Sequence, residues 1–101
     1  MREYKTQLGI SIEQLDKINS VIEKYQPQIE ERKDEIIDVE DKINELLING
    51  GSSEKLKQLI IQLARLKTEN TVLQIREIRE IQNILTDEQY RTLLKILFNI
   101  D

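Results

Sequence analysis

The sequence predicts an all-α fold, a long antiparallel helical hairpin with a short C-terminal helix, and three observations predict it. Charged residues make up 34% of the 101-residue chain and hydrophobic residues 39%, against three glycines, one proline and four aromatic residues. That mixture suits long solvated helices, and it is too apolar and too regular for disorder. Apolar residues recur at alternating spacings of three and four along the first of two long stretches and gather on one face of the second, which is the pattern of helices with one buried face. A single glycine-serine cluster, Asn49-Gly50-Gly51-Ser52-Ser53, divides those stretches.

The first helix is expected from about Ser11 to Leu47. Its seam is Leu15, Ile18, Ile22, Tyr25, Ile29, Arg32, Ile36, Val39, Ile43 and Leu46, apolar everywhere except Arg32. Pro27 removes one backbone donor and crowds the preceding turn, so a kink is expected near it; the seam keeps its phase across the proline. Residues 48–52 form the turn, where glycine supplies the left-handed conformation that closes a helix and Ser52 or Ser53 caps the next. So short a connection makes the two long helices antiparallel neighbours. The second runs from about Ser53 to Leu85, with Leu56, Leu59, Ile60, Leu63, Leu66, Leu73, Ile78, Ile81 and Leu85 on its inner face and Asn70 as a polar interruption. A last helix follows from about Thr86 to Asn99, with Tyr90, Leu93, Leu94, Leu97 and Phe98 on its apolar side. The whole chain, residues 1–101, reads as one hairpin domain. A lone hairpin has a seam but little enclosed core, so a homodimer with a four-helix arrangement is expected.

Composition excludes several function classes. The net charge is −4, so nucleic-acid binding would need a local basic patch acting against the average. Cysteine is absent, which removes disulfides, thiolate metal ligation and thiol catalysis. No apolar run approaches the roughly 18–20 residues that span a bilayer. Met1-Arg2-Glu3-Tyr4-Lys5 does not read as a signal peptide. Acid–base or nucleophilic chemistry would fall to carboxylates, lysines or hydroxyls, and no paired constellation of them stands out, so no catalysis and no cofactor are expected.

Two short segments are alike. Ile10-Ser11-Ile12-Glu13-Gln14 and Leu85-Thr86-Asp87-Glu88-Gln89 each place an aliphatic residue, a hydroxyl residue and, three positions later, a glutamine. This is the pattern of a capping box with a hydrophobic staple, and one copy precedes the first long helix while the other follows the second. The chain resembles the LTxxQ family of bacterial periplasmic proteins, which takes in the Spy and CpxP envelope-stress chaperones, the zinc-resistance-associated proteins and the CnrX-like heavy-metal sensors. The resemblance puts the motifs at Ile10, Ser11 and Gln14 and at Leu85, Thr86 and Gln89; the second copy keeps the family form, and the first has Ile-Ser in place of Leu-Thr. It implies a periplasmic location after removal of a leader, a helical-hairpin homodimer, and a role in stress response, protein protection or metal response, with unfolded proteins or a membrane sensor domain as partners.

Two helix faces carry the remaining functional expectations. Lys57, Ile61, Arg65, Thr68, Val72, Ile75, Arg76 and Arg79 form a mixed stripe opposite the leucine face of the second helix. Aliphatics flanked by cations suit either the grip of unfolded client segments or a dimer contact. Glu31, Asp34, Glu35, Asp38, Asp41 and Glu45 cluster on the outer face of the first helix and read as a solvated face. The chain has no histidine, no cysteine and no methionine beyond Met1, so no transition-metal site is expected. The function expected is that of a non-catalytic envelope-stress accessory protein. A heavy-metal resistance or sensing protein of the same family and a cytosolic coiled-coil adaptor are the alternatives.

Overall fold

The computed structural model describes residues 9–98, and side chains as far as Ile96. The expectations placed on Met1–Lys5, on Asn99 and on the side chains of Leu97 and Phe98 lie outside that range. Three helices and no strand make up the described residues: α1 (Ile12–Asn49), α2 (Ser53–Ile84) and α3 (Asp87–Phe98). None of them is long and apolar enough to cross a membrane. The all-α hairpin with a short third helix is therefore the observed fold.

The turn between α1 and α2 follows from its two glycines. Gly50 closes α1 with φ of +75°, in the left-handed region that a side chain disfavours. The Gly51 N–H then donates back to the Leu46 carbonyl at 2.7 Å, spanning six residues as in a Schellman motif. A Cβ on Gly51 would run into the Leu46 side chain, which would have to shift to admit it. The Ser52 hydroxyl accepts from the Lys55 N–H at 3.2 Å and caps α2. Of the two candidate serines, Ser52 is the cap. α1 continues through Pro27 without interruption, and the missing proline N–H leaves the Glu23 carbonyl without its usual helical donor.

Tertiary contacts group the hairpin into two compact units. One takes in the chain up to Lys24 and from Arg76 onward; the other is Tyr25–Ile75. In the first, Ile10, Ile18 and Leu85 are buried, with Leu15, Ile81, Tyr90, Leu93 and Ile96 packed round them. Lys24 Nζ pairs with Glu80 Oε2 at 3.3 Å across its two long helices.

In the second unit Tyr25, Ile29 and Val39 of α1 and Leu66 of α2 are buried. Arg32 and Asn70 are the polar interruptions of their two seams. Arg32 Nη1 donates to Glu35 Oε1 at 2.9 Å, and Arg32 Nε lies 3.3 Å from Glu69 Oε2, close enough for an ion pair but without hydrogen-bond alignment. Asn70 is only 7% exposed, and its Oδ1 has no hydrogen-bond partner among the described residues. Lys67 Nζ reaches Glu40 Oε2 at 3.8 Å. As numbering rises along α1 it falls along α2 in these pairs, the mark of an antiparallel hairpin.

The inner face of α2 differs from the expected one at two positions. Ile60 and Ile78 are 56% and 49% exposed. In the Tyr25–Ile75 unit the observed face follows a three-four period through Leu56, Leu59, Leu63, Leu66, Asn70 and Leu73, and that phase leaves Ile60 outside the seam. In the other unit Ile81 and Leu85 are turned to the core while Ile78 is exposed.

Candidate functional site

The two motifs form capping boxes, and the boxes are joined. At the start of α1 the Gln14 N–H donates to Ser11 Oγ at 3.1 Å and the Ser11 N–H donates to Gln14 Oε1 at 2.9 Å. At the start of α3 the Gln89 N–H donates to Thr86 Oγ1 at 3.1 Å and the Thr86 N–H donates to Gln89 Oε1 at 2.9 Å. Each box satisfies two backbone donors that a helix start leaves orphaned.

The glutamine amides then cross from one box to the other. Gln14 Nε2 donates to Gln89 Oε1 at 2.9 Å and to the Ile84 carbonyl at 3.1 Å. Gln89 Nε2 donates to Gln14 Oε1 at 3.3 Å and to the Gly9 carbonyl at 3.2 Å. Each carboxamide thus uses both donors and accepts twice at its oxygen, which is the full capacity of the group. Glutamate would keep the backbone cap but would bring no donor, and two carboxylates would repel. Crossed bonding selects glutamine.

The residues immediately preceding each hydroxyl, Ile10 and Leu85, are buried in the cluster beneath, and the staple partners Leu15 and Tyr90 pack against it. Corresponding residues of the two segments are 75 positions apart: Gly9 with Ile84, Ile10 with Leu85, Ser11 with Thr86 and Gln14 with Gln89. The same offset relates Leu15 to Tyr90 and Ile18 to Leu93, all members of the cluster or packed against it. The Gly9 and Ile84 carbonyls are parts of the clasp that motif reading does not contain, because a carbonyl leaves no mark in residue identity. Gly9 holds φ at +66°, and its carbonyl receives Gln89.

The mixed stripe is a separate feature. Ile61, Val72 and Ile75 are 59%, 40% and 50% exposed. Lys57, Arg65 and Thr68 are exposed among them, and all six belong to the Tyr25–Ile75 unit. Arg76 and Arg79 are exposed in the other unit. Among the described residues, Arg65 approaches an acid only at 4.0 Å, through Nε to Glu69 Oε1. The acidic side chains Glu31, Asp34, Asp38, Asp41 and Glu45 are likewise exposed, whereas Glu35 is half-buried beside Arg32.

Among the described residues, no three acidic side chains converge as a metal-binding group would. A shallow groove of about 390 Å³ lies along Lys17, Ser20, Val21, Glu80, Asn83 and Ile84, with Glu80 engaged by Lys24. Its polar groups do not form a nucleophile–base pair. Comparison of the chain with protein-family models, with curated proteins and with solved structures finds no match.

Proposed function

We propose that this chain is a non-catalytic accessory protein of the LTxxQ type, acting in the periplasm under envelope stress and holding segments of unfolded client proteins. The observation that carries the functional part is the solvent-facing stripe of α2, where Ile61, Val72 and Ile75 stand exposed beside Lys57 and Arg65. Cations attract acidic clients over about a Debye length, and adaptable aliphatic contact holds them afterwards. The crossed glutamines support the LTxxQ assignment, since each motif is completed by the other. The reading includes a homodimer, because the apolar core of either unit is thin and a second copy would bury more of it.

The test compares aggregation of a denatured client with and without the protein, beside the Ile61→Ser/Val72→Ser/Ile75→Ser variant. Suppression by the parent and its loss in a still-folded variant is the expected result. An inactive parent, or a fully active variant, removes the proposal. Sedimentation at micromolar concentration tests the dimer, and a stable folded monomer counts against it.

A further inference from the structure

The exposed stripe of the Tyr25–Ile75 unit has a period as well as a composition. The inner seam of α2 there follows Leu56, Leu59, Leu63, Leu66, Asn70 and Leu73. Ile61, Arg65, Thr68, Val72 and Ile75 repeat the same alternation of four and three on the opposite side of the helix. Within a heptad they alternate between the position directly opposite the seam and one next to it, where an ordinary hairpin helix is predominantly polar. Instead three of the five are aliphatic, and all five are solvent-exposed. α2 therefore carries two seams, one occupied by α1 and one open.

Charge narrows the occupant of the open seam. Arg65 stands within it and Lys57 beside it, and among the described residues the only carboxylate pairing with either is the 4.0 Å approach of Glu69 to Arg65. Pairing this face with the same face of a second copy would set cation against cation. The acidic outer face of α1 in a second copy, Glu31, Asp34, Asp38, Asp41 and Glu45, has the matching period. It would, however, press carboxylates onto Ile61, Val72 and Ile75 and desolvate them without partners. The complement to this face needs aliphatics at the seam positions and acids beside them.

We propose that the outer face of α2 in this unit is a docking seam for an amphipathic helix of another protein, one carrying aliphatic residues at heptad spacing flanked by glutamate or aspartate. The inference rests on the client-binding reading of the same face and adds that the bound segment is helical and in register. Exposed seams of this kind recognise partners through anchors spaced three and four apart, so order as well as composition governs binding.

The probe is a fluorescein-labelled peptide of three heptads with leucine at the seam positions and glutamate flanking them. It is titrated with the full chain and followed by anisotropy and circular dichroism. Two control peptides have the same composition in scrambled order, or glutamine in place of glutamate. The expected result is binding of the heptad peptide about tenfold or more tighter than either control, with a gain of helical signal. Arg65→Glu weakens binding by about tenfold, and a lysine-flanked peptide regains it on that variant. Equal binding of the scrambled peptide, binding without gain of helix, or no binding overturns the inference. So does sedimentation in which the triple-serine variant turns a dimer into a monomer, since a second copy would then cover the face. If the peptide fails while the parent still suppresses client aggregation, the helix inference alone falls; if suppression fails too, the client reading falls with it.

Discussion

Gln14 and Gln89 sit at the third position of their helices, where glutamate and glutamine ordinarily serve a capping box equally well. Here the two amides also bond to each other and to the Gly9 and Ile84 carbonyls, and those bonds need N–H donors. Gln89→Ala should lower stability by about 1–2 kcal/mol in urea denaturation, as both a cap and a crossed contact are lost. Gln14→Glu/Gln89→Glu should cost about 2–3 kcal/mol at neutral pH, because two carboxylates replace a donor–acceptor pair. Repulsion would raise the pKa of these carboxyls in the folded state. Stability lost at neutral pH should accordingly return as pH falls through that raised value and be fully recovered by about pH 4, the unfolded glutamate range, since the protonated carboxyls can donate. A flat pH profile for this variant would show that the crossing contributes nothing. At the turn, Gly50→Ala should cost about 1 kcal/mol by the same denaturation measurement, as alanine is strained at a φ of +75°.

Along the helices, period carried more information than hydrophobic identity. The α1 seam is legible in the sequence because its alternation is kept from Leu15 to Leu46, and Ile18, Tyr25, Ile29 and Val39 are buried as that pattern requires. On α2 the pattern is broken by Asn70 and surrounded by additional isoleucines, so Ile60 and Ile78 look like seam residues although they face solvent. The motif hydroxyls and glutamines are legible as caps, since caps are local. Their mutual bonding is not legible, because it depends on where helices carry residues far apart in sequence. Two changes test the elements themselves. Asn70→Leu should raise stability by about 1 kcal/mol, as it replaces a buried oxygen that lacks a donor with apolar volume in the seam. Pro27→Ala should raise it by about 1–3 kcal/mol by restoring the N–H that the Glu23 carbonyl lacks. Chemical denaturation monitored by helical circular dichroism measures both.

At the scale of the whole molecule, charge is unevenly shared. α1 carries eleven carboxylates and five cations, while α2 carries four carboxylates and six cations. The net charge of −4 therefore conceals an acidic helix and a basic one. Salt screens such exposed charges over about 8 Å at physiological ionic strength, so any partner drawn to α2 by Coulomb attraction should bind more weakly as salt rises. The ligand inventory leads to a further expectation: calorimetry with zinc, nickel and copper should find no tight site, since imidazole and thiolate are missing from the sequence. A submicromolar dissociation constant for any of the three would contradict it.

The clasp also sets an order of events in time. Gln14 and Gln89 are 75 residues apart, whereas the turn at Gly50 joins neighbours. Closing the long loop first would cost more chain entropy than zipping outward from the turn, where each added layer shortens the remaining gap. The crossed amides should therefore form after the folding barrier is passed and be among the first contacts released on unfolding. Substitutions at either glutamine should accelerate unfolding and leave the folding rate nearly unchanged in stopped-flow experiments. That outcome would make the clasp a latch on the lifetime of the folded chain, with little influence on how quickly that chain is made.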